Sequence, residues 1–198
     1  MNISKIAIAG AGGIGSNLIQ ILFDYGFNRK QFDYSAVDID VYDDDVVDVK
    51  NLLHQNFASN DVGKPKVKIL EDKYVVNGIN ARMTEDDFPK YDLIFSCVDN
   101  MPFRKKLYEY CWSKTDKRLE WIDGRCTSRQ GAIFNNGIPE DTLKKYLSDS
   151  VDEGGCLLDY EKENNISHTL PLIVAGMMAQ TFLNKLRDQP TYKMIFMV

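Results

Sequence analysis

Three things the chain lacks narrow its possible roles. No apolar run approaches the roughly 20 residues that cross a bilayer; the longest, residues 170–179, carries Pro171 inside it. Cys97, Cys111, Cys126 and Cys156 lie far apart, with no CxxC or CxxH pair of the kind that holds zinc or forms a redox dithiol. A basic excess is missing as well, because 24 Lys and Arg stand against 29 Asp and Glu for a net charge of -5. Helical membrane anchoring, structural zinc and nucleic-acid binding are therefore disfavoured. No basic segment leading into an apolar signal run follows Met1, so the expected setting is cytoplasmic, with free thiols.

What is present is a chain of 198 residues, 44% hydrophobic and 27% charged, the profile of a single folded domain. Residues 5–9 form a short apolar run entering a glycine-rich turn, and Leu18, Ile19, Leu22 and Phe23 then recur at helical spacing. A second strand is expected at 34–37, with Asp38 and Asp40 at its carboxyl end, and a helix opening at the Gly63–Lys66 segment with Pro65 in its first turn. Further strands are expected around 80–84 and at 93–98, followed by a helix through Phe103, Leu107 and Cys111. Strands and helices alternate across residues 1–117, which predicts a Rossmann-like α/β fold: a mostly parallel sheet covered on both faces, binding ligand at the carboxyl ends of its strands. Residues 118–198 read as an antiparallel extension, with strands at 119–124 and 130–134, a long polar crossover at 135–168, a buried helix at 170–186 and a closing strand at 194–198. Nothing divides the chain, so one domain is expected over 1–198.

Gly10, Gly12, Gly13 and Gly15 spell GxGxxG between a strand and a helix, where free backbone N–H groups and the helix dipole attract phosphate. Asp38 follows Gly15 by 23 residues (38 − 15), the spacing from which a carboxylate accepts ribose hydroxyls. An adenosine ligand follows. Lys64 and Lys66 stand at a helix start, within reach of phosphates, and Asp99 ends a buried strand, where its hard oxygens suit Mg²⁺. Plainer readings stay open: exposed lysines at 64 and 66, and a helix cap at Asp99. The acidic stretch 43–45 reads as a solvated turn and is given no role.

Four further features, NLLHQ at 51–55, VGKPK at 62–66, DNxxxR at 99–104 and the late Cys156, join GAGGIGSN and VDID in one order. As an ensemble they resemble the ThiF/MoeB/ubiquitin-activating (E1-like) superfamily of adenylating enzymes, from residue 5 to about 186. The resemblance implies ATP bound in the glycine turn and adenylation of the carboxyl-terminal glycine of a ubiquitin-like or sulfur-carrier protein. It implies Lys66 as the transition-state lysine, Asp99 as Mg²⁺ ligand, Asp38 as ribose acceptor and Asp40 as a second metal or ribose contact. Asn51 becomes a phosphate contact, and Arg104 a residue that orders the Asp99 loop. Cys156 stands where thioester-forming relatives carry their nucleophile, and reads equally well as a small residue packed under the loop.

The chain departs from the pattern in four ways. His54 replaces an arginine, the 40–51 stretch is about five residues long beyond the family's spacing, the zinc-binding CxxC pairs are missing, and the first strand starts at residue 5 without the helices that carry a partner-directed arginine. A homodimer or partner chain supplying that charge is therefore expected, with His54 donating to phosphate in the arginine's place. Two other functions remain open on the sequence: an NAD-dependent Rossmann oxidoreductase, and a non-catalytic scaffold that binds nucleotide or partner.

Overall fold

The computed structural model describes residues 3–27, 37–113, 119–127, 129–149, 169–191 and 194–197. β1 (Lys5–Ala9) is followed by α1 (Gly13–Ile21), which runs on into a wider turn of helix at Leu22–Phe27. β2 (Asp38–Tyr42), α2 (Lys66–Lys73), β3 (Asn77–Ile79), β4 (Leu93–Ser96) and α3 (Met101–Ser113) complete the first half. β5 (Glu120–Cys126), β6 (Gln130–Asn135), α4 (Glu140–Asp149), α5 (Leu170–Leu186) and β7 (Met194–Met197) make the second.

These strands form one seven-stranded sheet in the order β3-β2-β1-β4-β5-β6-β7. The first five pair in parallel, and β6 and β7 add antiparallel. Period-two alternation gives each face its own core. Ile6 and Ile8 of β1, with Val41, Phe95 and Ile122, pack under α1, α2 and α5; Ala7, Ala9, Ile94, Trp121 and Phe134 pack under α3 and α4. Strand order reverses between β1 and β4, and such a switch opens a crevice beyond the strands' carboxyl ends.

Two strands lie elsewhere than the sequence pattern suggested. β2 begins at Asp38, so residues 34–36 fall outside the described residues and Asp38 stands at the strand's amino end. Asp40 is buried in mid-strand, since Asn77 Nδ2 (2.8 Å) and the Tyr91 hydroxyl (2.7 Å) donate to its carboxylate and Lys5 Nζ lies 3.5 Å away. A buried acid with such partners need not end a strand. β3 lies at 77–79, upstream of the expected 80–84, where it pairs with Asp40–Tyr42. The helix at 170–186 and the antiparallel β5–β6 pair agree with expectation, and β5 runs two residues further to include Arg125 and Cys126.

Candidate functional site

The cleft at the strand switch has a volume of about 500 Å³, within the range of small-molecule sites. Its floor is the β1–α1 turn. Gly10 has φ +92°, a conformation open to glycine, and a Cβ there would sit 3.0 Å from the Cys97 carbonyl oxygen. A Cβ on Gly15 would fall 1.9 Å from the Gly10 carbonyl oxygen, so α1 must leave the turn at a glycine. Gly12 differs, with nothing within 4 Å of its would-be Cβ; the space above it belongs to the cleft. Ser16 and Asn17 then tie the next wall to this turn. Ser16 Oγ accepts from the Asn56 N–H (3.0 Å), and Asn17 Nδ2 donates to the His54 carbonyl (3.3 Å).

Past β2 the chain presents Asp43, Asp44 and Asp45, whose carboxylates converge within 4.8 Å of one another. Asp43 Oδ2 accepts from the Ala11 N–H (2.6 Å), and Asp43 Oδ1 from the Asp45 N–H (2.9 Å). Backbone pairing of Val47 with Lys64 and Gly63, and of Asp45 with Lys66, brings the start of α2 against these acids. Lys66, only 4% exposed, places Nζ 2.8 Å from Asp45 Oδ2 and 3.8 Å from Asp43 Oδ1. Burial pushes the Asp43 carboxyl above its ordinary 3.8, against the downward pull of Lys66 and of the Ala11 and Asp45 N–H groups. Arg82, also on the cleft, pairs with exposed Asp44 at 2.9 Å.

The opposite wall comes from β4, β5 and α3. Asn100, not Asp99, caps α3 by accepting from the Phe103 N–H (3.1 Å), which leaves exposed Asp99 facing the cleft. Buried Arg104 donates to the carbonyls of Val98 and Gly124 (the latter 3.2 Å) and lies 3.0 Å from Asp123 Oδ1. It thereby fixes the residue before Asp99. Asp123 is fully buried and also accepts from Ser96 Oγ (2.6 Å), the Tyr108 hydroxyl (2.7 Å) and Arg125 Nε (2.7 Å). Its burial would raise its carboxyl, but the charges of Arg104 and Arg125 outweigh that and hold it below the ordinary range.

Of the residues singled out by sequence, Gly10, Gly12, Gly13, Asn51, His54, Lys66 and Asp99 line this one cleft. Gly15 sits just behind, packing the helix onto the turn. Asn51 is placed by a short turn at Val49–Leu53, where its Oδ1 accepts from the Asp48 N–H (2.8 Å). Asp38, Asp40 and Lys64 do not line the cleft: Asp38 is exposed at the wrong end of β2, Asp40 is spent on Asn77 and Tyr91, and Lys64 is exposed. Cys156 lies outside the described residues. Asp43, Asp45 and Arg125 also line the cleft, although the sequence pattern did not single them out. The signal for the acids was a count: Asp45 precedes Asn51 by six residues and Asp40 by eleven, so the pair Asp43/Asp45 removes the five-residue excess that the pair Asp38/Asp40 required.

A doubly wound sheet whose switch-point cleft joins a glycine turn, a buried lysine held by acids and an exposed aspartate defines an α/β protein suited to a polyanionic ligand and a hard cation. A family model described as the ThiF family matches residues 1–196, and the chain belongs to that family. It is 28% identical over 122 residues to the SUMO-activating enzyme subunit 2 of Dictyostelium discoideum, covering 55% of this chain and 17% of that protein. With the SAMP-activating enzyme E1 of Haloferax volcanii it shares 30% over 120 residues, 54% of this chain and 41% of the relative. The chain spans less than half the length of these relatives. Among solved structures it resembles E. coli MccB with ATP (TM-score 0.64, 17% identity, 98% of this chain and 63% of that one) and PaaA (TM-score 0.67, 16% identity, 98% and 61%), a likeness of fold. These matches do not favour the oxidoreductase alternative.

Proposed function

We propose that the chain adenylates the terminal carboxylate of a ubiquitin-like or sulfur-carrier protein ending in glycine, using ATP and releasing pyrophosphate. The observation that carries this reading is that Lys66 and Asp99, from separate sequence motifs, share one cleft with the glycine turn. In this reading the phosphates rest on the turn's N–H groups and the amino end of α1. Asp43 takes the ribose in place of Asp38, and Asn51 and His54 face the phosphates. Lys66 exchanges Asp45 for phosphate oxygens as the nucleotide enters, and carries positive charge to the developing negative charge. Asp99 and Asp45 offer hard oxygen donors to Mg²⁺, which would neutralise the departing pyrophosphate.

The carboxylate oxygen of the carrier attacks the α-phosphorus, and the bond from that phosphorus to the α–β bridging oxygen breaks in line. The carboxylate is already ionised, so catalysis is a matter of positioning and charge. Where a thioester follows, the Cys156 thiolate attacks the acyl carbon and AMP leaves. Two of the described cysteines fit that role less well: Cys97 is buried, and burial, with some help from Glu120, pushes the Cys111 thiol up to about 12. The reading includes a cytoplasmic setting and a second chain, as a homodimer or with a distinct partner, that adds an arginine.

Exchange of labelled pyrophosphate into ATP, driven by a carrier with a Gly-Gly tail, tests the reading. Carrier-dependent exchange that falls roughly 10²–10³-fold in Lys66→Ala is expected. Tight Mg-ATP binding without exchange for any carrier would identify a scaffold instead, and tight NAD binding without exchange an oxidoreductase.

A further inference from the structure

β3 lies two strands over from β1, so Arg82, which follows β3 closely in the chain, reaches the cleft from the side opposite β4. Its Nε donates to both carboxylate oxygens of Asp44 (3.0 and 2.9 Å), and among the described residues Asp44 is the one hydrogen-bonding partner of its side chain. That pair uses Nε alone. The Nη donors and the flat of the guanidinium are left to solvent or to a ligand, on a side chain 73% exposed. Lys66 differs, since its ammonium is buried and already held between Asp45 and Asp43.

Near Arg82 the cleft wall is carbon. Met83 and Tyr42 are both buried and both line the cleft, together with Ala9. The Tyr42 hydroxyl is taken up by the Tyr91 hydroxyl (2.7 Å) and its carbonyl by the Gly10 N–H (2.8 Å), so what Tyr42 offers a ligand is its ring. Carbon on one side and a guanidinium on the other suit a flat aromatic ring, whose face attracts a planar cation.

The order of groups along the cleft says which ring. Phosphate belongs to the glycine turn. Asp43, the acid read as taking the ribose, adjoins that turn through the Ala11 N–H (2.6 Å), and its own N–H donates to the Ile79 carbonyl at the end of β3 (3.3 Å). Phosphate, sugar and base follow one another in a nucleotide as turn, Asp43 and the β3 side follow one another here. The base therefore falls beside Met83 and Arg82.

We propose that Arg82 lies on the purine ring of the bound nucleotide, opposite the carbon wall of Met83 and Tyr42. This rests on the adenylation reading and names the contact by which this chain grips the base rather than the phosphates.

The test is calorimetric titration of the whole protein, in Mg²⁺, with the non-hydrolysable analogue AMPCPP and separately with inorganic tripolyphosphate, which carries phosphates without ribose or base. The readout is the ratio of the two dissociation constants. Arg82→Ala is expected to reduce the preference for AMPCPP by about 3- to 30-fold, the range of cation–π contacts from exposed to desolvated, with tripolyphosphate affinity held within about twofold. Arg82→Tyr, which puts an uncharged ring in place of the cation, is expected to stay within about threefold of wild type, because a base stacks on an aromatic side chain as well. Both variants should fold, since the ion pair they lose is exposed at each end. An unchanged preference in Arg82→Ala overturns the proposal. So does Arg82→Tyr behaving as Arg82→Ala does, which would assign the guanidinium to ribose or phosphate by its charge. If tripolyphosphate binds too weakly to titrate, the AMPCPP affinities of the two variants against wild type decide by the same criteria. Failure of wild type to bind AMPCPP at all is a separate result that removes the adenylation reading itself.

Discussion

Gly12 and Gly15 stand three residues apart in the same motif, and the structure gives them opposite tasks. A Cβ at Gly12 meets nothing within 4 Å and faces the cleft, and the backbone there, at φ -77°, lies outside the left-handed region that favours glycine. Gly12→Val should therefore change stability by no more than about 1 kcal/mol, the scale of a substitution at a helix cap. The ligand pays instead: losing one charged hydrogen bond to phosphate costs about 1.5–3 kcal/mol, roughly a ten- to hundredfold rise in Kd for AMPCPP. Gly15→Ala puts its Cβ 1.9 Å from the Gly10 carbonyl oxygen, which is backbone and cannot turn aside. Overpacking of that kind costs about 1–3 kcal/mol or more. For a domain of this size that is a fall in Tm of roughly 2–12 °C. Thermal unfolding and AMPCPP titration of both variants separate the two tasks. An unchanged Kd in Gly12→Val, or a Tm loss in Gly12→Val as large as in Gly15→Ala, would refute the reasoning.

Other expectations follow from the same contacts. Asp123→Asn removes the charge that two buried guanidinium groups share and should cost about 3–5 kcal/mol, read as a fall in urea midpoint at neutral pH. Because the folded Asp123 carboxyl lies below its ordinary 3.8, its contribution is present above that pH and disappears as pH falls through the folded value; wild type and Asp123→Asn should converge in acid. Asp43 has the opposite sign. Its carboxyl is raised, so wild type loses stability as pH climbs from 3.8 through the raised value, and Asp43→Asn should lack that pH dependence in thermal unfolding while binding ATP more weakly. If Cys156 carries a thioester, Cys156→Ala should lose the thiol-labile conjugate on a denaturing gel and keep pyrophosphate exchange; loss of exchange as well would place that residue in the first step.

Much of the fold could be read from periodicity where the pattern was strong. β1 and α5 have the boundaries expected of them, because an apolar run entering a glycine turn and a long apolar helix leave little choice. β2 was misjudged because an acid inside a buried strand breaks the pattern, and the reason it is tolerated lies in Asn77 and Tyr91, 37 and 51 residues away. The acid pair expected at the cleft, Asp38 and Asp40, lies away from it, while Asp43 and Asp45, which read in the sequence as a solvated turn, are the acids that meet Lys66. The glycine turn, Lys66 and Asp99 were legible because each belongs to a motif of local spacing. Arg125 was not, since only the β4–β5 pairing and α3 packing bring it, Asp123 and Tyr108 to the cleft wall.

A crystal structure of the chain with AMPCPP and Mg²⁺ tests these assignments most directly. The triphosphate is expected over residues 10–15, the ribose on Asp43, Asp99 directed at the metal and Lys66 Nζ moved from Asp45 to a phosphate oxygen. A nucleotide bound outside this cleft, or one bound within it while Lys66 still holds Asp45, would contradict the account.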